Sequence, residues 1–198
     1  MKRLVLATSN AGKLAEIRRV LETQPFEIVP QSAFDVPDVA ETGLSFVENA
    51  LIKARHASRH ASLPAMADDS GLEVASLGGA PGIRSARYAG EDASDAENVA
   101  KLLSELHQGE RSRDARFVCV IALVRHADDP APVLCEGHWH GVIAESPKGE
   151  NGFGYDPVFF VRELGRTAAE LAAEEKNRIS HRGRALAQLA AQLDATTF

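Results

Sequence analysis

The chain is poor in cysteine, tryptophan and tyrosine, with two, one and two residues among 198. Cys119 and Cys135 form no CxxC pair and lie in apolar surroundings, so we expect buried free thiols in a reducing compartment rather than a disulfide framework. No apolar run approaches the length of a membrane-spanning helix, and the run at residues 4–7 is too short for a signal peptide. We therefore expect a cytoplasmic protein with no membrane partner.

Basic residues are also fewer than acidic ones: the chain has 22 lysines and arginines and 28 aspartates and glutamates, and its formal net charge is −6. Proteins that bind duplex nucleic acid normally carry a basic surface, so no nucleic-acid partner is expected. A small anionic substrate is still compatible with this charge, since a bound divalent cation can supply local positive charge. The composition, 44% hydrophobic and 25% charged, is typical of a globular protein, and the length suits one domain over residues 1–198.

Apolar periodicity and capping residues predict strands interleaved with helices. Strands are predicted over residues 4–7, 26–29, 65–67, 72–74, 116–125 and 133–143. Helices are predicted over residues 13–21, from Ser45 to before Pro64, from Ser94, over 167–174 and over 180–193. Ser45 with Glu48, and Ser94 with Glu97, have the spacing of capping boxes. The last two strands are expected to pair through a turn at 128–132. The pattern indicates an α/β or an α+β class.

The segment 66–74 carries two adjacent carboxylates, Asp68 and Asp69, between two apolar stretches. We predict an acidic turn here, formed with Ser70 and Gly71. Buried carboxylates cost free energy unless they meet a cation, donors or water, so the pair suggests a site for a hard metal such as Mg²⁺. Neighbours on extended backbone point to opposite faces, which indicates different tasks for the two residues. The alternative is a solvated turn with Asp as its cap.

A polar loop between the first strand and the first helix is the next candidate. Such a junction directs backbone N–H groups, hydroxyls and a helix N-terminus at one point, with Lys13 beside them, and so suits phosphate. The loop and first turn comprise Thr8, Ser9, Asn10, Ala11, Gly12 and Lys13. It is not a Walker A loop, since the first glycine is absent and Leu14 replaces the required hydroxyl. An ordinary junction with a surface lysine is the alternative.

Three further groups carry possible chemistry. Glu41 lies in an irregular stretch where it could reach a metal, and Lys53 on the following helix could reach a phosphate. Phe153 lies between two glycines, so a flat ligand could stack on its ring. Near the last helix stand three donors that could contact a base edge: Lys176, His181 and Arg182. Taken singly, each group could instead be a solvated helix face, a glycine hairpin with a core Phe, or a charged helix start.

Together and in this order, these blocks resemble the inosine triphosphate pyrophosphatase family, in particular its bacterial members. The resemblance covers essentially the whole chain. The matching blocks are residues 8–13 with Glu16, 41–43 with 48–50, 68–72, 77–82, 152–157, and Lys176 with 180–183. Two departures stand out: Ser9 replaces a glycine of some relatives, and Arg84 has no assigned role.

The resemblance implies a two-lobed α/β fold, in which a long mixed β-sheet flanked by helices floors a substrate cleft, and a homodimer. It implies hydrolysis of ITP, dITP and XTP between the α- and β-phosphates. Glu41 and Asp69 would bind Mg²⁺, and Asp69 would either accept the proton, as the family assignment has it, or orient a metal-bound water that attacks. The phosphates would meet the Thr8–Lys13 loop, chiefly Ser9, Asn10 and Lys13, together with Lys53. The remaining substrate contacts would come from Ser70, Phe153, Gly154, Tyr155, Asp156, Lys176, His181 and Arg182.

Two other functions stay open at this point. The first is pyrophosphatase action on other modified nucleotides, such as pyrimidines. The second is a nucleotide-binding module without catalysis. Against the second stands the set of Lys13, Glu41, Lys53 and Asp69, which is more charge than binding alone requires.

Overall fold

A computed structural model of the chain describes residues 2–24, 26–107 and 111–193. Within these residues the strands are β1 Lys2–Leu6, β2 Phe26–Pro30, β3 Ala65–Val74, β4 Asp114–Val124, β5 Val133–Ile143, β6 Phe159–Val161 and β7 Arg166–Thr167. The α-helices are α1 Ala11–Val20, α2 Phe46–Ala61, α3 Asp95–His107, α4 Ala173–Ile179 and α5 His181–Gln192. None of the described helices is both long and apolar enough to cross a membrane.

The strands form one mixed sheet in the order β2-β1-β3-β4-β5-β6-β7. Strand β1 runs parallel to both β2 and β3, whereas β6 is antiparallel to β5 and to β7. Parallel neighbours need a crossover, which α1 and α2 supply, while the neighbours β4 and β5 follow one another directly in the chain. The expected α/β class with a mixed central sheet flanked by helices is confirmed.

The chain divides into two compact units, in agreement with the two lobes that the resemblance implies. The first unit comprises the described parts of residues 1–69, 119–137 and 182–198, and the second comprises those of 70–118 and 138–181. Each unit has its own apolar core. The core of the first unit includes Leu6, Ile17 and Leu186, and that of the second includes Phe117 and Phe159.

Several local predictions are confirmed. The Ser45 side chain accepts from the Glu48 amide and caps α2, and Ser94 with Glu97 makes the same arrangement before α3. Strand β5 has the predicted bounds. The two cysteines are buried free thiols. These features can be predicted from the sequence because they depend on residues close to one another along the chain or on apolar character.

The predicted acidic turn at residues 68–71 is wrong. One continuous strand, β3, runs from Ala65 to Val74 and includes both aspartates, Ser70 and Gly71. The carboxylates of Asp68 and Asp69 are buried against cations from other elements, so they need no solvated turn. Extended backbone is then compatible with the whole segment.

Two helix predictions need correction. The first helix begins at Ala11, because the Asn10 side chain accepts from the Lys13 amide and caps it two residues earlier than expected. The helix predicted over 167–174 is instead a 3₁₀ turn at Ala168–Glu170, followed by α4 from Ala173. Leu171 is extended, with φ −87° and ψ 146°, and this conformation separates the two segments.

Candidate active site

The loop after β1 presents polar groups at the start of α1. The Asn10 amide donates to Thr8 Oγ1 at 3.2 Å, and the Lys13 amide donates to Asn10 Oδ1 at 3.0 Å. Ser9 and Asn10 are exposed, as is Ala11 in the first turn of the helix, while Gly12 and Lys13 are half-buried. Since the first turn of a helix leaves backbone N–H groups free for anions, this loop has the form predicted for a phosphate-binding junction.

Asp68 lies at the centre of a buried ionic cluster in the first unit. Its Oδ2 atom is 3.1 Å from Lys13 Nζ and 3.3 Å from Arg182 Nε. The Arg182 guanidinium also donates from Nη1 to Glu16 Oε2. Asp68 and Arg182 are only 1% and 2% exposed, so each charge depends on its partners for stabilisation.

Asp69 has different partners. Lys53 Nζ donates to Asp69 Oδ1 and to Glu41 Oε1, both at 2.8 Å, and so joins α2 to β3 and to the loop before α2. The second oxygen, Asp69 Oδ2, is buried and has no hydrogen-bond partner among the described residues. The two aspartates therefore have separate hydrogen-bonded partners, Lys13 and Arg182 for Asp68 and Lys53 for Asp69, and different tasks for them stay a prediction.

The two neighbouring carboxylates are shifted in opposite directions. Burial raises the pKa of Asp68, but Lys13, Arg182 and Lys53 together outweigh burial and hold that pKa well below its usual 3.8. For Asp69, burial is the largest cause, and its pKa stays raised although Lys53 and Lys13 lower it. Burial lowers the pKa of Lys53, yet Asp69, Asp68 and Glu41 raise it overall. Asp68 therefore remains ionised, whereas Asp69 is the better proton acceptor of the two.

Arg182 has carboxylate partners in the first unit. Its guanidinium donates to Asp68 and to Glu16. The side chain is buried, so its charge requires carboxylate partners at close range. A contact of Arg182 with the base edge, beside Lys176 and His181, stays a prediction.

In the second unit, the loop at 152–156 is held around Asp156. The Phe153 amide donates to Asp156 Oδ2 at 3.0 Å, and Lys176 Nζ donates to the same oxygen at 2.6 Å. The Lys176 ammonium lies 4.9 Å from the centre of the Phe153 ring, a cation–π contact. Asp156 and Lys176 are buried, while Phe153 and Gly154 are half-buried. The structure thus brings these four predicted site residues together.

Tyr155 and His181 are held by side chains of the second unit. Tyr155 is buried and donates from its hydroxyl to the Ser85 carbonyl at 2.8 Å. Burial, followed by the charges of Tyr88 and Asp95, raises the pKa of Tyr155, so the phenol stays protonated. The buried His181 ring stacks on Phe117, with ring centres 4.6 Å apart and planes inclined by 13°. Ser70, at the start of this unit, is half-buried on β3.

Sequence reasoning missed three of the residues that support this site: Ser85, Asp95 and Phe117. The Ser85 carbonyl accepts a hydrogen bond from the Tyr155 hydroxyl, and Asp95 Oδ2 accepts one from the Gly154 amide at 2.6 Å. Phe117 was assigned only to a core strand. Since each acts on a residue at least 59 positions away, no local pattern could indicate the contact.

The donor set of the first unit is suited to a hard divalent cation. Glu41 and Asp69 supply carboxylate oxygens, and Asp69 Oδ2 is buried without a hydrogen-bond partner among the described residues. No group of three or more His, Cys, Asp or Glu side chains is arranged to hold a metal within those residues. Mg²⁺ does not require such a group, because it keeps several waters and often binds through one or two carboxylates.

Comparison with known proteins places this chain among close relatives. The dITP/XTP pyrophosphatase of Methylococcus capsulatus is 57% identical over 197 residues, which cover 99% of this chain and 98% of that protein. The structure of a HAM1 protein from Coxiella burnetii superposes with a TM-score of 0.91 at 53% identity, covering 97% of this chain and 98% of that one.

A nucleoside-triphosphatase described as a dITP/XTP pyrophosphatase, from Mycobacterium abscessus, gives a TM-score of 0.73 at 49% identity over 94% of this chain and 97% of its own. The resemblance predicted from the six blocks is thereby confirmed. A model of the Ham1 family matches residues 4–192, which include the ionic cluster around Asp68 and the loop at 152–156, and the chain belongs to that family.

Proposed function

We propose that this protein hydrolyses deaminated purine nucleoside triphosphates, namely ITP, dITP and XTP, to the monophosphate and pyrophosphate. Such an activity removes these nucleotides from the pool available for nucleic-acid synthesis. The observation that carries the proposal is the arrangement of Asp69, whose carboxylate is held by Lys53 on one oxygen while the other oxygen is buried and unbonded among the described residues. The relatives' names, dITP/XTP pyrophosphatase, support the same activity.

The triphosphate is bound by cations of the first unit. Lys13 and Lys53 carry ammonium groups, and the first turn of α1 offers backbone N–H groups with Ser9 and Asn10 beside them. A protein of net charge −6 would otherwise repel a triphosphate, so these local positive charges are needed for binding. Phosphoryl-type transfer depends on positioning and charge neutralisation more than on covalent chemistry, which suits this set of residues.

Glu41 and Asp69 would hold Mg²⁺. When bound, Mg²⁺ supplies neutralisation of the phosphate oxygens and orientation of the reacting groups. Lys53 keeps the two carboxylates in place through its two 2.8 Å bonds.

Asp69 is the proton acceptor in the proposed reaction. A water oxygen forms a bond to the α-phosphorus, its proton passes to the Asp69 carboxylate, and the bond between the α-phosphorus and the bridging oxygen breaks. The pyrophosphate leaves with that oxygen and its electron pair. The raised pKa of Asp69 favours this role over Asp68, whose pKa is lowered by its cations.

The base would be bound by an aromatic ring and by side-chain donors. Phe153 offers a ring for stacking, which is worth about 1–3 kcal/mol per base. Lys176, His181 and Arg182 carry donors that would suit the O6 carbonyl of hypoxanthine or xanthine, whereas adenine has an amino group at that position. Sites built on hydrogen bonds can reject such a mismatched analogue strongly.

The first experiment is a substrate panel of ITP, XTP, GTP, ATP and dTTP with Mg²⁺, in which pyrophosphate and orthophosphate are measured separately. Pyrophosphate from ITP and XTP, with little from GTP or ATP, is the expected result. Orthophosphate would move the attack to the γ-phosphorus and refute the mechanism. Activity on dTTP would favour the broader nucleotide specificity, and binding of ITP without hydrolysis would favour the non-catalytic module.

The proton acceptor is tested with Asp69→Asn. We expect this variant to bind ITP while its kcat falls by about 10²–10⁴-fold, the usual contribution of general base catalysis. Asp38→Asn is the matched control, because Asp38 is an exposed carboxylate outside the proposed site, and its kcat should be unchanged. An unchanged kcat for Asp69→Asn would contradict the assignment.

A homodimer and a cytoplasmic location are also proposed, and both rest on the family resemblance and on composition. Light scattering on the purified protein tests the first: a mass near twice the 21.2 kDa of one chain is expected. Fractionation of cells that express the protein tests the second.

A further inference from the structure

The peptide group between Phe153 and Gly154 is held at both ends. Its carbonyl, on Phe153, accepts from the Asp156 amide at 3.2 Å. Its N–H, on Gly154, donates to Asp95 Oδ2 at 2.6 Å. The first bond lies within the loop, whereas the second comes from the first residue of α3, 59 positions away in sequence. Asp95 therefore links the orientation of this peptide to the body of the second unit.

This peptide needs such a link because glycines stand on both sides of Phe153. Gly152 has φ +77° and Gly154 has φ +62°, both in the left-handed region that glycine enters freely. A glycine-rich backbone can change its dihedral angles at low cost, and any rotation of the Phe153–Gly154 peptide would tilt the Phe153 ring. Bonds at both ends of the peptide oppose that rotation.

We propose that Asp95 is a positioning residue, which sets the orientation of the Phe153 ring for stacking on the purine base. The inference rests on the proposed function, in which Phe153 receives the base. Asp95 acts through the Gly154 amide and does not need to touch the nucleotide. Its contact is charge-assisted, which makes the bond stronger than one between neutral groups.

The role of Asp95 is separable from helix capping. Ser94 caps α3, since its hydroxyl accepts from the Glu97 amide, and the Glu97 carboxylate accepts in return from the Ser94 amide at 2.8 Å. Removal of the Asp95 carboxylate leaves this capping box intact. The loop also keeps its inner bonds around Asp156, so the expected change is in ring orientation rather than in folding.

The test compares Asp95→Ala and Asp95→Asn with the wild type, and Asp92→Ala is the matched control, an exposed carboxylate three residues earlier. Calorimetry gives Kd for two probes: inosine monophosphate, which has the base, and inorganic tripolyphosphate, which lacks it. For Asp95→Ala we expect Kd for inosine monophosphate to rise about 3- to 10-fold, the usual range for one hydrogen bond. Kd for tripolyphosphate should not change.

The KM and the kcat for ITP should respond differently to the loss of the Asp95 carboxylate. In Asp95→Ala the KM for ITP should rise with little change in kcat, because stacking is present in both the ground state and the transition state. Asp95→Asn should keep most of the wild-type affinity, since the amide oxygen can still accept from Gly154. Asp92→Ala should behave as the wild type.

Equal Kd values of wild type and Asp95→Ala for inosine monophosphate would overturn the proposal, as would an equal loss of affinity for both probes. Failure of the wild type to bind inosine monophosphate would overturn it as well. Failure of the wild type to hydrolyse ITP would refute the proposed function alone, because the binding of inosine monophosphate is measured without turnover.

Discussion

Replacing Arg182 by methionine removes one of two close cations from a buried carboxylate. Arg182 Nε is 3.3 Å from Asp68 Oδ2, and Lys13 Nζ is 3.1 Å from the same atom. The side chains of Arg182 and Asp68 are 2% and 0% exposed, so water cannot replace the lost guanidinium. Methionine keeps much of the aliphatic stem and fills similar space, which limits the change largely to the charge.

Breaking a buried ion pair by removal of one partner costs about 3–5 kcal/mol, because the other charge stays buried without compensation. Asp68 retains Lys13, so we expect about 3 kcal/mol, at the lower end of that range. For a domain of this length, each kcal/mol corresponds to about 2–4 °C, and the melting temperature should fall by about 6–12 °C.

Thermal and urea unfolding at pH 7 measure this effect, with Arg59→Met as the matched control. Arg59 pairs with Asp128 at 3.2 Å, nearly the same distance, but these side chains are 60% and 88% exposed. Exposed pairs contribute about 0–1 kcal/mol, so the control should lose little stability. The comparison isolates burial, because the residue types and the separation of charges are matched.

The pH dependence gives a second readout. The pKa of Asp68 is lowered in the folded protein, so its ionic stabilisation is fully present above the ordinary value of 3.8 and is lost as the pH falls through the folded pKa. Arg182→Met weakens this stabilisation, and the difference between variant and wild type should narrow below about pH 4. Equal losses of stability in the Arg182 and Arg59 variants, or a difference independent of pH, would refute the reasoning.

Four further outcomes are expected. In Gly152→Ala a Cβ atom would lie 2.0 Å from Asp156 Oδ2, on backbone with φ +77°. We therefore expect the free energy of unfolding in urea to fall by about 1–3 kcal/mol and the binding of inosine monophosphate to weaken, and unchanged binding would contradict this. The bond from Arg125 to Asp129 lowers the pKa of Asp129, so Asp129→Asn should reduce the melting temperature at pH 7 and reduce it much less below pH 3.8. A difference in melting temperature between variant and wild type that stays the same at both pH values would exclude the ionised Asp129 as its cause. Ser45→Ala removes the cap of α2 and should lower the melting temperature by about 2–4 °C, whereas no shift would show that the cap is dispensable. Chelation by EDTA should abolish ITP hydrolysis and added Mg²⁺ should restore it; activity that survives chelation would remove the metal from the proposed reaction.

Much of the fold could be predicted because its signals are local. The capping boxes at Ser45 and Ser94 place each hydroxyl three residues from its partner, and the strand at 133–143 is marked by its own apolar residues and the turn before it. The six motif blocks likewise identified the family, since their order along the chain is a property of the sequence alone.

Local signals failed where distant groups decide the structure. The sequence predicts an acidic turn at residues 68–71, formed by Asp68, Asp69, Ser70 and Gly71 between two short strands. Lys13, Lys53 and Arg182 supply cationic partners for the buried carboxylates from other elements, and the segment is a continuous strand. A buried charge needs compensation, and which cations provide it depends on the tertiary structure.

The sequence by itself determined the residue types of the candidate site, the capped starts of α2 and α3, and the family. Only the tertiary structure decided that Arg182 bonds Asp68, 114 positions away, and that Asp95 holds the Gly154 amide. The physical reason lies in the range of the interactions. Helix caps and apolar periodicity act within a few residues, whereas the free energy of a buried charge depends on whichever groups the folded chain brings within about 3–4 Å.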